Sequence, residues 1–426
     1  MVTVYPTGVT IYRPDECWNG YTIHRGGSVI DMNGNLVKRW EGISQLGKIL
    51  PGGYVLGDFR HGGPRKERGR RLIQVDWDDN IVWEFRKTEQ IKVGDKLIWS
   101  AKQHHDFQRE GNPVGYYAPE MEPLVEGGKT LILASKEVEN REIAPGRLLD
   151  DCILEVTWDG EIVWEWRSCD HFDEMGFSEA ARNAMYRHGA RQDPYDWLHS
   201  NSISYLGPNK WYDGGDKRFH PDNIIWDGRN TNIIAIIDKK TREFVWRVGP
   251  DYTASPELRR LGQIVGQHHA HMIPRGLPGE GNILVFDNGG FAGYGVPNPS
   301  SPTGVNNAVR PYSRVIEFNP DTLEVCWEYS ADRRRQDFYS PYISSAQRLP
   351  NGNTLICEGN RGRIFEVTRD LEIVWEYVVP RGGSYRAYRI PYDWIPQLDE
   401  PVEKAVIPPD PSEFRIKPQG GEAKRR

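Results

Sequence analysis

The chain repeats one pattern of apolar and polar positions six times. In each copy a polar turn precedes a short apolar run that ends on a tryptophan and continues into an aromatic or charged tail, as in WDGEIVWEW. Successive copies lie 43 to 82 residues apart, and their tryptophans are Trp40, Trp83, Trp164, Trp246, Trp327 and Trp375. Alternating apolar residues beside Asp, Asn and Gly indicate β-hairpins. Repeats at such spacings are typical of propeller blades with occasional insertions.

A second hairpin precedes each tryptophan strand. It is clearest at residues 346–359, AQRLPNGNTLICEG, where Pro-Asn-Gly-Asn forms the turn between two strands. Two hairpins give four strands per copy, so the six copies predict an all-β fold, a six-bladed β-propeller of four-stranded antiparallel blades. We interpret the repeated tryptophans as structural side chains that pack between neighbouring blades.

The first copy is short, and the segment Ser384–Trp394 follows the last copy without a hairpin of its own. We predict that this segment returns to the first blade, so that the N- and C-terminal segments close the ring and leave no exposed sheet edge. The propeller then spans residues 1–400, with rim insertions at about 167–196, 207–230 and 290–310, and residues 401–426 form an extended arm. One helix is predicted, at 177–188, capped by Ser178.

Composition excludes several classes of protein. The 426 residues carry 54 Lys plus Arg and 60 Asp plus Glu, a formal net charge of −6, so no basic excess points to nucleic acid. No apolar stretch reaches the length of a membrane span. No signal peptide is recognisable, which predicts a cytoplasmic protein as the sequence is written, or a periplasmic one if a leader has been trimmed. The five cysteines form no CxxC pair.

Histidines gather at equivalent places in the repeat. The first strand of a blade starts, and the second strand ends, at the same rim of the central channel, and seven of the 11 histidines lie at such positions. Aligning the copies predicts an inner ring of channel residues, namely His105, His199 with Asn201, His268, Tyr342 with Ser344, and Tyr385 with Arg386. Because side chains alternate along a strand, we expect His104, His269 and His271 to pack between blades instead.

Imidazoles that converge with guanidinium groups admit two chemistries. Neutral histidines could bind a divalent transition metal, with His105, His199 and His268 as its ligands. Alternatively, a histidine could act as a nucleophile or acid–base group toward an anion held by Arg60, Arg361 or Arg386. Zincin, P-loop, α/β-hydrolase and dinucleotide-binding motifs are absent.

From Tyr5 to Trp394 the sequence resembles the bacterial arylsulfotransferases, the PAPS-independent aryl-sulfate sulfotransferases, as a divergent member. The DWLHSN stretch that contains His199 resembles the family's DW-x-H-x-N motif, and Gln267-His268 followed by FDNG resembles its second histidine motif. The resemblance implies a six-bladed propeller that transfers a sulfuryl group between phenols through a sulfated histidine. It also implies that His199 and His268 line the site. In this chain Ser384 stands where the family has that histidine, so either His105 replaces it or the reaction differs.

These observations predict an arylsulfotransferase-like enzyme acting on a small anionic, aromatic substrate, without a cofactor if it transfers a sulfuryl group. The predicted catalytic residues are His105, His199, His268, Tyr385 and Arg386, and the predicted substrate-binding residues are Arg60, His61, Asn201, Tyr342, Asn288 and Arg361. Two alternatives remain: a metal-dependent propeller lyase or oxidoreductase with the three-histidine site, and a non-catalytic binding module. Imidazoles within the channel argue against the module, because a docking surface does not need them.

Overall fold

A computed structural model describes residues 7–60, 70–87, 89–93, 96–100, 102–330 and 338–407. It confirms the all-β prediction, with six antiparallel blades arranged as a propeller. From the channel outward, blade 1 consists of Ala387–Ile390, Tyr21–His24, Ser28–Ile30 and Leu36–Arg39, blade 2 of Ile43–Leu50, Tyr54–Arg60, Arg70–Val75 and Ile81–Phe85, and blade 3 of Gln103–Arg109, Thr130–Glu139, Arg147–Val156 and Ile162–Arg167. Blade 4 consists of Ser200–Tyr205, Ile224–Gly228, Ile233–Ile237 and Phe244–Val248, blade 5 of His268–Met272, Ile283–Asp287, Arg314–Phe318 and Val325–Ser330, and blade 6 of Ser345–Arg348, Thr354–Glu358, Arg363–Val367, Ile373–Val378 and Gly8–Tyr12.

Both ends of the chain close the ring. Ala387–Ile390, within the predicted closing segment, pairs antiparallel with Tyr21–His24 and supplies the innermost strand of blade 1. The N-terminal strand Gly8–Tyr12 pairs with Ile373–Val378 as a fifth, outermost strand of blade 6, a position that the sequence analysis did not assign to it. Two chain ends therefore hold adjacent blades together.

The repeated tryptophans join each blade to the next. Besides packing between sheets, the indole N–H of every repeat tryptophan donates to a backbone carbonyl in the turn of the following blade, at 2.7–3.1 Å. The acceptors, in blade order from 2 to 6 and back to 1, are Asp76, Trp158, Lys239, Pro320, Arg369 and Met32. Six equivalent hydrogen bonds thus run around the propeller, each satisfying a buried donor.

Insertions occur on both faces. On the face of the propeller where the inner strands start with histidines, the predicted insertion at 167–196 contains the 3₁₀ turn Ser168–His171 and the helix Glu179–Gly189. The Ser178 hydroxyl accepts the Ala181 N–H and caps this helix, as predicted. The insertion at 290–310 forms a hairpin, Ala292–Tyr294 with Val305–Ala308. The range 207–230 also includes the second strand of blade 4, so only its first part lies outside the blade.

The remaining elements are short. A further hairpin joins Glu89–Val93 to Lys96–Ser100. The other helical segments are Lys210–Asp213, Pro256–Leu261 and the 3₁₀ turns Pro14–Glu16, Lys217–Phe219, Arg229–Thr231, Gly359–Arg361 and Tyr392–Trp394. None of the helices in the described part of the chain is long and apolar enough to cross a membrane. Of the predicted C-terminal arm, residues 401–407 are described, and Val406 exchanges two backbone hydrogen bonds with Tyr12.

The end of the channel at which the histidines of the inner strands lie is its mouth, and buried side chains fill the channel below it. Lys48 and Asp106, on the inner strands of blades 2 and 3, form a buried ion cluster with Arg386, which directly precedes the inner strand of blade 1. Asp106 accepts from Lys48 at 2.7 Å and from Arg386 at 2.9 Å. At the opposite end, the Tyr116 hydroxyl lies 2.9 Å from His271 Nε2. Tyr116 belongs to the loop between the first two strands of blade 3, so this loop covers the far end of the channel.

Candidate active site

The inner strands of blades 3 and 4 reach the mouth through an irregular turn of backbone. His105 and His199 both adopt the left-handed conformation, with φ of 58° and 52°. The strand pairing shifts register beside each of them, between Gln103 and Phe107 and between Ser200 and Ser202. A register shift of this kind re-aims side chains that would otherwise alternate. Such strained residues cluster at functional sites, and here they carry two partly exposed imidazoles of the mouth.

Three rings meet at this point. The His105 and His199 ring centroids lie 4.9 Å apart, and the Tyr385 ring lies 5.7 Å from that of His105. His105 and His199 are partly exposed, whereas Tyr385 is buried and its hydroxyl donates to the Asn201 carbonyl at 3.4 Å. The two histidines are therefore the groups in this cluster that a substrate at the mouth could touch.

His199 forms an ion pair with an aspartate. Its Nδ1 lies 2.6 Å from Asp196 Oδ2. Burial opposes the charged imidazolium, but the hydrogen bond and the charge of Asp196 outweigh it and raise the pKa of His199. The same contact lowers the pKa of Asp196 despite its burial. His199 is thus held as a proton donor whose Nδ1 is fixed by the carboxylate.

His105 has the opposite electrostatic environment. Burial, reinforced by the neighbouring His104 and His199, lowers the pKa of His105 well below its usual range, so the ring is neutral at neutral pH. Its Nδ1 lies 2.7 Å from His104 Nδ1, and His104 Nε2 lies 3.1 Å from Asp151 Oδ1. The mouth therefore combines His105, whose lowered pKa keeps it neutral, with His199, whose raised pKa favours the protonated form. A neutral nucleophile or base beside a proton donor is the pair of groups that acid–base or nucleophilic chemistry needs.

His104 did not follow the expected alternation. It was expected to pack between blades, but it contacts His105 and a carboxylate of its own blade. The reason is the left-handed backbone of His105, which brings neighbouring side chains to the same region. His269 and His271 were also expected to pack between blades, but both face the channel. His269 Nε2 lies 3.1 Å from the Tyr388 hydroxyl of blade 1, on the other side of the channel, and His271 Nε2 lies 2.9 Å from the Tyr116 hydroxyl.

His268 is built into the wall of the mouth. Its Nδ1 lies 2.8 Å from Asn288 Oδ1, and its Nε2 accepts the Ile343 N–H at 3.1 Å. Asn288 in turn donates to the Ser340 and Ile343 carbonyls. Burial, followed by the charge of nearby Arg229, lowers the pKa of His268 well below its usual range. Both ring nitrogens are thus engaged by the protein, and Asn288 serves to hold His268.

Arg386 and Asn201 also lie within the wall. The Arg386 guanidinium is buried against Asp106, the Tyr388 hydroxyl and the Asn201 carbonyl. The Asn201 amide is fully buried and donates to the Gln267 carbonyl at 2.8 Å, which joins blades 4 and 5. These residues support the mouth from below, and Arg386 contributes positive charge that lowers the pKa of His105 and His268.

The other predicted binding residues are distributed around the mouth. Tyr342 is 48% exposed and directly precedes Ile343, which contacts His268. Arg361 is exposed, with its Nε 3.5 Å from Glu358 Oε1. Arg60 ends the second strand of blade 2, and His61 lies outside the described residues. The structure thus brings His105, His199 and Tyr385 into direct contact, and the role of each predicted site residue stays a prediction.

Three residues that the sequence analysis missed contribute charge to the mouth, namely Asp151, Asp196 and Arg229. The contact of Asp196 could have been predicted from the sequence, because Asp196 lies only three residues before His199. Asp151 belongs to the third strand of blade 3, where nothing in the local sequence marks it as facing a histidine. Arg229 begins a 3₁₀ turn and influences the pKa of both His199 and His268.

The three-histidine metal site finds no support in this arrangement. Across the described ranges, no group of three or more His, Cys, Asp or Glu side chains is placed to hold a metal ion. The two occupied ring nitrogens of His268 give the physical reason, since a metal ligand needs a free lone pair.

Comparison with known proteins decides the family. The sequence profile of Arylsulfotransferase (ASST) matches residues 123–381, which is more than half of the chain. This chain belongs to the arylsulfotransferase family. The match begins in blade 3 and ends after the last tryptophan strand, so it includes His199, Asp196 and His268. The resemblance inferred from the sequence motifs is therefore confirmed, and membership of this family supports a transferase.

The similarity to solved structures is low in sequence identity and in TM-score. A protein of unknown function from Bacteroides caccae is 12% identical, with a TM-score of 0.46, and the match covers 87% of this chain and 99% of that one. A putative 6-phosphogluconolactonase from Bacteroides fragilis is 8% identical, with a TM-score of 0.36 and coverage of 88% and 98%. A streptogramin B lyase is 13% identical, with a TM-score of 0.32 and coverage of 85% and 88%. These values support no inference about activity. No curated protein gives a significant sequence match.

Proposed function

We propose that this member of the arylsulfotransferase family transfers a sulfuryl group from an aryl sulfate to an acceptor phenol, with His105 as the nucleophile. The observation that carries the proposal is the contact between His105, which is neutral, and His199, which is held as a proton donor, with ring centroids 4.9 Å apart. Ser384, which occupies the place of the family's sulfated histidine, has its hydroxyl bound to the Arg386 carbonyl. A second histidine at the same mouth can supply the missing nucleophile.

The first half-reaction transfers the sulfuryl group to the enzyme. The lone pair of His105 attacks the sulfur atom, an N–S bond forms, and the bond between sulfur and the aryl oxygen breaks. The departing phenolate takes the proton of the His199 imidazolium and leaves as a phenol. His105 then carries an N-sulfonated, positively charged ring, and His199 is neutral. Dividing one displacement into two steps through a covalent intermediate is the usual advantage of a side-chain nucleophile.

The second half-reaction reverses these steps with a different phenol. Neutral His199 removes the proton of the acceptor hydroxyl, the resulting oxygen attacks sulfur, and the N–S bond breaks. His105 returns as a neutral imidazole and His199 as an imidazolium, so atoms and charge balance over the cycle. Asp196 stabilises the imidazolium form in both halves, because its carboxylate lies 2.6 Å from His199 Nδ1.

Positive charge at the mouth suits an anionic substrate. The Arg229 guanidinium is partly exposed and close enough to shift the pKa of His199 and His268, so it is placed to attract sulfuryl oxygens. The exposed Tyr342 directly precedes Ile343, whose N–H contacts His268, and it offers an aromatic surface for a phenol ring. Preorganised cations of this kind stabilise the charge that develops on a transferring group.

The proposal is tested with a nitrophenyl sulfate. Release of nitrophenol should accelerate when a second phenol is added, and the sulfate ester of that phenol should accumulate in equal amount. A chelator should leave the rate unchanged, because each step uses only imidazoles and guanidinium groups. A rate of nitrophenol release that does not depend on the acceptor phenol, or that falls to zero with the chelator, would contradict the proposal.

Replacing Asp196 by Asn should narrow the pH range of activity. The Asp196 carboxylate raises the pKa of His199, so its removal lowers that pKa and the proton donor is lost at a lower pH. The alkaline side of the pH–kcat profile should therefore move toward acid, while the acidic side, set by His105, stays in place. Asp170→Asn, which changes an exposed carboxylate paired with Arg167, is the control and should leave the profile unchanged. An unshifted alkaline side in Asp196→Asn would assign the acid role elsewhere.

A further inference from the structure

Behind His105 lie two polar side chains in sequence, and the second is a carboxylate. Asp151 Oδ1 lies 3.1 Å from His104 Nε2, and His104 Nδ1 lies 2.7 Å from His105 Nδ1. Asp151 is fixed in turn, because its second oxygen accepts the Ser200 N–H at 2.6 Å. His104 is almost buried, with 10% of its side chain exposed, and Asp151 has 5% exposed.

The carboxylate decides which nitrogen of His104 carries the proton. The contact between His104 Nε2 and the carboxylate is electrostatic, because it does not meet the geometry of a full hydrogen bond. A carboxylate oxygen 3.1 Å away nevertheless repels a lone pair and attracts a proton. Of the two tautomers of His104, this carboxylate therefore favours the one with its proton on Nε2 and a lone pair at Nδ1.

The contact between His104 Nδ1 and His105 Nδ1 makes the tautomer of His105 depend on that of His104. Only one proton fits between two ring nitrogens 2.7 Å apart. Because His104 Nδ1 presents a lone pair, the proton belongs to His105 Nδ1. The lone pair of His105 is then on Nε2, the nitrogen farther from His104 and available to the mouth.

We propose that Asp151 and His104 form a relay that fixes the tautomer of His105, so that its Nε2 is the unprotonated, nucleophilic atom. The effect of the relay on kcat rests on the proposed function, whereas the tautomer does not. Both residues are positioning residues, and the charge of Asp151 also helps to raise the pKa of His199. When His105 gains positive charge in the sulfonated intermediate, its Nδ1–H donates more strongly to His104, and Asp151 stabilises the pair. A carboxylate that orients a histidine in this manner can change kcat by about 10⁴-fold.

Asp151→Asn should reverse the relay without changing its shape. The Asn carbonyl oxygen is needed to accept the Ser200 N–H, so the amide NH₂ group faces His104 Nε2. That nitrogen must then accept, His104 Nδ1 becomes the donor, and the proton of His105 moves to Nε2. We expect kcat to fall by about 10²- to 10⁴-fold, with KM changed by no more than a few fold.

His104 offers a rescue test. His104→Gln can accept from His105 with its amide oxygen and donate to Asp151 with its amide nitrogen, and it should keep most of the activity. His104→Leu removes both functions and should lose as much as Asp151→Asn. Asp150→Asn is the matched control, because this neighbouring carboxylate faces Trp197 and Cys169 rather than His104.

Nitrogen-15 NMR of histidine-labelled protein reads the tautomer without any reaction, with the His105 signals assigned through their loss in His105→Gln. We expect a proton on Nδ1 and a lone pair on Nε2 in the wild type and in Asp150→Asn, and the reverse in Asp151→Asn. A proton on Nε2 in the wild type, or an unchanged tautomer in Asp151→Asn, would overturn the relay. The expected tautomer in a protein that does not turn over aryl sulfates would uphold the relay and refute the proposed function.

Discussion

Replacing His105 by Gln should lower kcat for aryl sulfate turnover by about three orders of magnitude or more. Glutamine is similar in size and polarity but has no nitrogen lone pair that can accept a sulfuryl group. Loss of a nucleophile in a covalent mechanism typically has an effect of this size or larger. The measurement is steady-state release of nitrophenol in the presence of an acceptor phenol.

His188→Gln is the matched control for that experiment. His188 is partly buried, packs with its ring centroid 5.3 Å from that of Tyr195, and lies outside the His105 cluster. Its replacement should change kcat by no more than a few fold. Retention of most activity by His105→Gln would move the nucleophile to another side chain and contradict the assignment.

Replacing Asp106 by Asn should destabilise the folded protein by about 3–5 kcal/mol. Asp106 lies between Lys48 and Arg386 with almost no solvent exposure, and its removal leaves two buried cations facing each other. Burial already lowers the pKa of Lys48 to about 8, against the attraction of Asp106. Denaturant unfolding of wild type and variant measures the loss.

Asp79→Asn is the matched control, since it breaks a Lys–Asp pair in which Asp79 is 48% exposed. Exposed pairs contribute only about 0–1 kcal/mol, so this variant should unfold close to the wild type. Equal stability losses in Asp106→Asn and Asp79→Asn would show that the channel cluster is hydrated and does not hold the blades together.

The sequence predicted the fold because one repeat contained all the information for a blade. The tryptophan strand, the Asp/Asn/Gly turn and the preceding hairpin recur, and the short first copy required the segment that contains Ala387–Ile390 to return. The fifth strand Gly8–Tyr12 was missed because it lies outside the repeat and pairs with an edge that a single blade does not reveal.

The positions of the site histidines could be predicted from the sequence, but only some of their contacts could. Equivalent places in the repeat brought out His105 and His199, which do lie together. Strand alternation placed His104 on the opposite face, but the left-handed backbone of His105 interrupts alternation, and backbone conformation at one residue is not visible in the pattern. Asp151 is distant in sequence and reaches the mouth only through strand pairing, so the relay could be found only in three dimensions.

The most direct test of the account is to trap the sulfated enzyme. Wild-type protein mixed with an aryl sulfate, without an acceptor phenol, should release one phenol per chain rapidly and gain the mass of one SO₃ group. Fragmentation of the peptide that contains His104 and His105 should place that group on His105, and it should disappear when a phenol is added. No gain of mass during sustained turnover, or a sulfuryl group on a residue other than His105, would contradict the account.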